Sequence, residues 1–214
     1  GIGMIPAYND EELVRVVQEA RTMAQRAFDD GELYLEKYFE NPRHIEFQVL
    51  ADQHGHVQHF FERDCSIQRR HQKLIEESPA IGIERDELNQ LAHKITTILA
   101  DIGYDNIGTV EMLRDRHGNY SFLEMNTRLQ VEHGVSEEIT GVDLVEAQIR
   151  SAFGEELSQI IQKPIKNQGH AIEVRIYAED PKTFFPSPGK LTTFSAPKID
   201  GVRVETGFAQ GTTI

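Results

Sequence analysis

Apolar residues recur at helical spacing between residues 9 and 28, at Leu13, Val16, Val17, Ala20, Met23, Ala24 and Ala27. Positions three and four apart share one face of a helix, so this spacing predicts an amphipathic helix. Asn9 and Glu12 supply the cap and the third-position glutamate of a capping box, and Gly31 is expected to end the helix. The period then changes to two. Strands are predicted at 33–39, 44–51 and 57–63, with turns at Asn41-Pro42 and at Gln53-His54-Gly55-His56. In the second strand Ile45, Phe47 and Val49 take one face, and His44, Glu46 and Gln48 the other. Residues 66–77 are polar, with a basic middle, and read as an exposed loop. A second amphipathic helix is predicted at 84–102, carried by Leu88, Leu91, Ile95, Ile98 and Leu99 and ended by Gly103. A strand at 107–115 and a helix at 143–153, capped by Thr140 and closed by Gly154, come next. From residue 170 the β pattern returns, at 170–178, 191–195 and 202–205. This order predicts an α+β fold with a mainly antiparallel sheet rather than a regular βαβ series.

The segment 124–132 alternates most strictly. Glu124, Asn126, Arg128, Gln130 and Glu132 share one parity, while Met125, Leu129 and Val131 share the other with Thr127. As one strand, it would present two carboxylates, a guanidinium and two amides on a single face. Arg116-His117-Gly118-Asn119 reads as the turn joining it to the strand before. A two-residue loop at His117-Gly118 sets Glu111 opposite Glu124, and one at Gly118-Asn119 sets it opposite Asn126. Either register places both glutamates on one face, whereas a three-residue loop breaks the arrangement. Facing carboxylates about 5 Å apart repel by roughly 3 kcal/mol at an effective dielectric near 20. A divalent cation between them removes that repulsion. Magnesium suits the position because it takes one or two carboxylates and leaves its other places to water and phosphates.

Charge and composition narrow the partners. With 22 Lys+Arg against 35 Asp+Glu the net charge is −13, which disfavours nucleic acid or a membrane surface as partner. No apolar run approaches membrane-spanning length, and no signal peptide is visible. Cys65 is the only cysteine, so no internal disulfide forms and a buried, inert thiol in a reducing compartment is expected. Gly1-Ile2-Gly3-Met4 at one end and Gly211-Thr212-Thr213-Ile214 at the other suggest a chain cut from a longer protein.

Three longer motifs carry a resemblance. Tyr34-Leu35-Glu36-Lys37-Tyr38, the run from Arg63 to Lys73 (RDCSIQRRHQK) and the run from Glu124 to His133 (EMNTRLQVEH) resemble biotin carboxylase, an ATP-grasp enzyme. Ala178-Glu179-Asp180-Pro181 and Pro186-Ser187-Pro188-Gly189-Lys190 continue the likeness toward the end of the chain. The resemblance implies part of an ATP-grasp lid at 1–38, the antiparallel-sheet core at 39–165 and the start of a carboxy-terminal domain at 166–214. It implies that ATP phosphorylates bicarbonate, and that biotin on a biotin carboxyl carrier protein or domain is then carboxylated. Glu111, Glu124 and Asn126 would bind Mg2+ or Mn2+ and the phosphates. Arg128, Gln130, Val131 and Lys73 would hold bicarbonate, Glu132 would act as base, and Arg175 would stabilise the oxyanion of deprotonated biotin. Glu36 and Lys37 would meet the adenine edge of ATP, and His44, Gln68 and His71 its ribose and phosphates. A carboxyltransferase subunit or domain, as in acetyl-CoA carboxylase, and a homodimer of the full-length protein are the implied partners. The implied location is cytoplasmic in a bacterium, or the mitochondrial matrix in a eukaryote.

Departures from the family pattern set further expectations. Ile2 stands where a lysine or arginine is usual, and Gly134 replaces a proline, which should loosen the turn after the catalytic strand. The family's amino-terminal domain and lid lysines are missing from the chain, so the isolated chain is expected to turn over little. Another ATP-grasp ligase using carboxyphosphate, such as carbamoyl phosphate synthetase, and a non-catalytic core fragment are the alternative readings.

Overall fold

The computed structural model describes residues 3–214, so Ile2 lies outside the described residues. Two compact units are present, one running to Val174 and the other Arg175–Ile214. The first opens with helix α1, Asp10–Phe28. The Asn9 side chain accepts from Glu12 N at 2.8 Å as expected, while the Glu12 carboxylate accepts from Tyr8 N at 3.0 Å, one residue before the N–H a capping box would use. The helix ends at Phe28, three residues before Gly31, because Asp29 takes the left-handed conformation at its end. The predicted strand at 33–39 does not form, and that segment is irregular.

Strands β1 (Arg43–Ala51), β2 (Val57–Arg69) and β3 (Gln72–Ser78) form a meander, followed by helix α2, Arg85–Asp101. β4 (Asn106–Arg114) and β5 (Tyr120–Asn126) form a hairpin. Helices α3 (His133–Thr140), α4 (Leu144–Ala152) and α5 (Leu157–Ile160) come next, then β6 (Ala171–Val174). The described strands make one antiparallel sheet in the order β5-β4-β1-β2-β3-β6. β1 is therefore internal and buried along nearly its whole length. Ile45, Phe47 and Val49 pack with Val110 and Met112 against Leu88, Ala92, Ile95 and Leu99 of α2. On the opposite face Leu50, Phe60 and Ile107 pack under Leu144, Ala147 and Leu157. Beyond that apolar end, the same face carries His44, Glu46 and Gln48, all buried.

Several boundaries differ from expectation for tertiary reasons. Residues 66–77 are not a loop: β2 runs on to Arg69 and turns at Arg70-His71, both at positive φ, into β3. Two consecutive positive φ angles give the twist of a tight antiparallel hairpin, and Gln68 then pairs with Lys73. The α4 cap is Asp143, whose Oδ1 accepts from Glu146 N at 2.8 Å. Thr140 instead closes α3 and donates to Ser136 O at 2.6 Å. The alternating segment 124–132 is a strand only as far as Asn126. Gly134 sits inside α3 rather than in a loosened turn. In place of the strand at 170–178, β6 covers only Ala171–Val174.

The second unit holds neither of the strands predicted at 191–195 and 202–205. Isolated bridges, Glu179 with Pro186 and Lys190 with Thr213, tie it together. Asp180 Oδ1 caps a turn by accepting from Lys182 N, Thr183 N and Thr183 Oγ1.

Candidate active site

Backbone register builds the site. Glu46 of β1 pairs with Glu111 of β4 on one side and Arg63 of β2 on the other, and Glu111 pairs in turn with Glu124 of β5. One row of charges, Arg63–Glu46–Glu111–Glu124, thus crosses four strands on a single face. Two bulges create it. Along β1 and β2, Val49 faces His59; continued without interruption, that register would set Glu62 against Glu46. An extra residue near Phe61, which has φ 64°, shifts the register and brings Arg63 there instead. The β4–β5 turn is a three-residue loop, closed by Asp115 N to Asn119 O at 2.9 Å, and by itself it would set Leu123 against Glu111. A bulge at Leu123 restores Glu124 to that place. The turn is the three-residue loop expected to break the arrangement, and the bulge is what keeps the glutamates facing all the same. Bulges of this kind re-aim side chains beside functional sites.

Lys73 joins the carboxylates. Its Nζ donates to Glu46, to Glu111 Oε1 at 3.0 Å and to Glu132 Oε1 at 2.7 Å. Burial opposes its charge, but the carboxylates of Glu46, Glu132 and Glu111 win and raise its pKa. Glu111 holds the centre. Its Oε1 accepts from Asn126 Nδ2 at 3.0 Å and Gln130 Nε2 at 2.8 Å, while Oε2 lies 2.8 Å from His44 Nε2. Burial pushes the Glu111 pKa up, but the His44 contact and the Lys73 charge outweigh it and hold the carboxyl at about 2. Glu46 is lowered in the same way, burial being overcome by Arg63 and Lys73. Burial raises the Cys65 thiol well above its usual range, which leaves it an inert neighbour of Glu46.

Asn126 links the buried part to the rim. Its Nδ2 donates to Glu111 and also to Glu124 Oε1 at 3.1 Å, and its Oδ1 accepts from Arg128 Nη2 at 3.1 Å. Glu124 and Arg128 are exposed, whereas Gln130 and Glu132 turn inward and are buried. That inward turn ends the strand: partners on Arg63, Glu111 and Lys73 outweigh the local period of two, and Val131 is left 63% exposed.

The structure brings His44, Lys73, Glu111, Glu124, Asn126, Arg128, Gln130 and Glu132 into one connected group. Gln68 joins through contacts with His44 Nδ1 at 3.1 Å and Cys65 O at 2.8 Å. His71 is exposed at the tip of the β2–β3 hairpin. Glu36 and Lys37 are exposed in the irregular segment before β1, with Lys37 Nζ 5.0 Å above the Phe39 ring. Arg175 begins the second unit. Sequence reasoning missed Glu46 and Arg63. Glu46 left a signal, a carboxylate at a strand position whose neighbours are strongly apolar. Arg63 opens the basic motif, but nothing there sets it against Glu46, because a bulge decides which residue of β2 faces that carboxylate.

Carboxylate and amide oxygens converging beside a lysine and two arginines suit a divalent cation and an oxyanion together. Comparison with known proteins gives this class a family. Residues 1–160 match the model "Carbamoyl-phosphate synthase L chain, ATP binding domain", and 173–214 match "Biotin carboxylase C-terminal domain". The chain is 53% identical over all 214 residues to biotin carboxylase 2 of Bacillus subtilis, of which it covers 48%. Over the same 214 residues it is 50% identical to the biotin carboxylase of Allochromatium vinosum, covering 47% of that protein. The fold matches Campylobacter jejuni biotin carboxylase, solved as an ATP complex, with a TM-score of 0.93 and 47% identity, covering all of this chain and 47% of that one. The same scores and coverage hold for the biotin carboxylase domain of Hydrogenobacter thermophilus 2-oxoglutarate carboxylase, solved with MgADP and bicarbonate. The chain belongs to the biotin carboxylase family of ATP-grasp proteins. It spans about half the length of the curated relatives it matches.

Proposed function

We propose that this chain is the central part of a biotin carboxylase, which uses ATP and bicarbonate to carboxylate biotin through carboxyphosphate. The observation that carries the reading is the meeting of Glu111 and Glu124 on one Asn126 amide, beside the Lys73–Glu132 pair. Residues 1–38 then belong to the lid, 39–165 to the core and 166–214 to the carboxy-terminal domain.

The donor set fits a hard cation, so Glu111, Glu124 and Asn126 would hold Mg2+ or Mn2+ at the ATP phosphates. Such an ion neutralises charge on the transferring phosphoryl oxygens. Arg128 presents a planar fork suited to bicarbonate, and its bond to Asn126 couples the anion side to the metal side. Gln130, the Val131 backbone and Lys73 complete the anion site. Glu132 accepts the proton of bicarbonate, while Lys73 Nζ at 2.7 Å orients its carboxylate. Arg175 balances the oxyanion of deprotonated biotin. Glu36 and Lys37 read the adenine edge, and His44, Gln68 and His71 the ribose and phosphates.

A biotin carboxyl carrier and a carboxyltransferase are the partners this reading requires, with a homodimer of the full-length protein and, in a bacterium, a cytoplasmic setting. No described helix is long and apolar enough to cross a membrane. The carbamoyl phosphate synthetase reading is disfavoured by the match at 173–214 and by the names of the relatives. Phosphate release by the full-length protein, measured with and without bicarbonate and free biotin, tests the proposal. Release should require both, and the isolated 214-residue chain should show little. Loss of either requirement in the full-length protein refutes the reading.

A further inference from the structure

We propose that Arg63 is a positioning residue for the anion side of this site, acting through Gln130 and Glu46 without touching substrate. The inference rests on the biotin carboxylase reading above. Arg63 is fully buried, and each of its N–H groups has an acceptor. Nε donates to Glu46 Oε1 at 2.6 Å. Nη1 donates to Gln48 Oε1 at 2.7 Å and Ser136 Oγ at 2.9 Å, and Nη2 to Thr109 Oγ1 at 3.2 Å and Gln130 Oε1 at 3.0 Å.

The bond to Gln130 has a chemical consequence. A guanidinium only donates, and a carboxylate only accepts. Gln130 lies between one of each, Arg63 at its oxygen and Glu111 at its nitrogen, 2.8 Å away. Its amide satisfies both neighbours in this orientation alone. Glu111 uses one of the two amide N–H groups, which leaves the second for an anion. A reversed amide would set its oxygen against the Glu111 carboxylate and offer an approaching anion an acceptor. Arg63 and Glu111 together therefore fix Gln130 as a donor toward the anion, and Arg63 does so from the oxygen side.

The bond to Glu46 acts on Lys73. Arg63 occupies Glu46 Oε1, and Lys73 takes Oε2 while reaching Glu111 and Glu132 with its other N–H groups. Gln48, Ser136 and Thr109 anchor the guanidinium to β1, α3 and β4, so it cannot follow a moving Gln130. A lysine ammonium has three donors at one point and cannot span this set of acceptors.

The test is steady-state ATP hydrolysis by the full-length protein with free biotin, comparing wild type with Arg63→Lys. Absence of bicarbonate-dependent turnover in wild type refutes the family reading itself, whatever Arg63 does. Given that turnover, Arg63→Lys should raise the KM for bicarbonate at least about tenfold and leave the KM for ATP within about twofold, as expected when anion binding alone is weakened. A fall in kcat with both KM values unchanged, or an equal rise in both, makes Arg63 merely structural and overturns the proposal. If Arg63→Lys does not fold, Thr109→Val and Ser136→Ala loosen the guanidinium and keep its charge. Each should raise the bicarbonate KM about two- to fivefold with the ATP KM unchanged, the size of effect from losing one anchoring hydrogen bond. An unchanged bicarbonate KM in both overturns the proposal.

Discussion

The two ends of the charge row are made from the same chemical groups and do different work. At the buried end, Arg63 and Glu46 are inaccessible to solvent and bonded to each other at 2.6 Å. At the open end, Glu124 and Arg128 are exposed and meet through a single amide, that of Asn126. A buried ion pair loses its hydration and gains stability only when every polar atom is matched, as Arg63 is. An exposed pair keeps water as an alternative partner and contributes little to stability. That same access lets an outside cation or anion replace the internal contacts. The row thus grades from a fixed foundation to an exchangeable rim, with Glu111 and Lys73 at the change-over.

Breaking the buried end should have the largest effect. Arg63→Met leaves the Glu46 carboxylate buried with only Lys73 as a cationic partner, and should cost about 3–5 kcal/mol in denaturant unfolding of this chain. A loss under about 1 kcal/mol, within the range of ordinary surface substitutions, would erase the distinction between the ends.

Acid should affect the change-over next. Glu111 titrates at about 2 when folded against an ordinary value of 4.5. Its contribution is therefore fully present above pH 4.5 and is lost as pH falls toward 2. The depression corresponds to an order of 3 kcal/mol. Asp52, also held at about 2 by backbone donors that overcome its burial, loses stability over a similar window. Glu111→Gln isolates the Glu111 share: the slope of unfolding free energy between pH 5 and 2 should flatten relative to wild type, as proton linkage requires. An identical slope would place the depression elsewhere.

The open end should be the least sensitive in stability and the most sensitive in ligand response. Glu124→Gln should change unfolding free energy by under about 0.5 kcal/mol. In the full-length protein it should raise the Mg2+ concentration for half-maximal ATP hydrolysis several-fold, since the proposed metal site would lose one hard anionic ligand. An unchanged metal titration would remove Glu124 from the metal site.

The elements that local pattern makes legible are those whose neighbours add no contrary demand. α1 and α2 form where their apolar spacing places them, although Ile98 of α2 is exposed rather than inward, and Asn9 caps α1 as its sequence requires. β1 keeps the parity read from Ile45, Phe47 and Val49. The motifs at 63–73 and 124–133 were enough to suggest the family. At the site, the illegible features share one cause, a long-range partner stronger than the local period. Gln130 and Glu132 leave the strand pattern for Arg63, Glu111 and Lys73. The loop expected at 66–77 becomes a hairpin because β1 and β6 flank it in the sheet.

Side-chain chemistry and periodicity, both local, were thus enough to nominate an α+β chain with a carboxylate hairpin and an adjoining basic run. Which charges meet was a tertiary decision. A strand flips every side chain when its register moves by one residue, and the bulges at Phe61 and Leu123 make that one-residue move twice. Nothing in the spacing of Arg63 or Glu124 announces those bulges. They arise where strands must pair and helices must pack at the same time, and they turn separate motifs into a single row of charges.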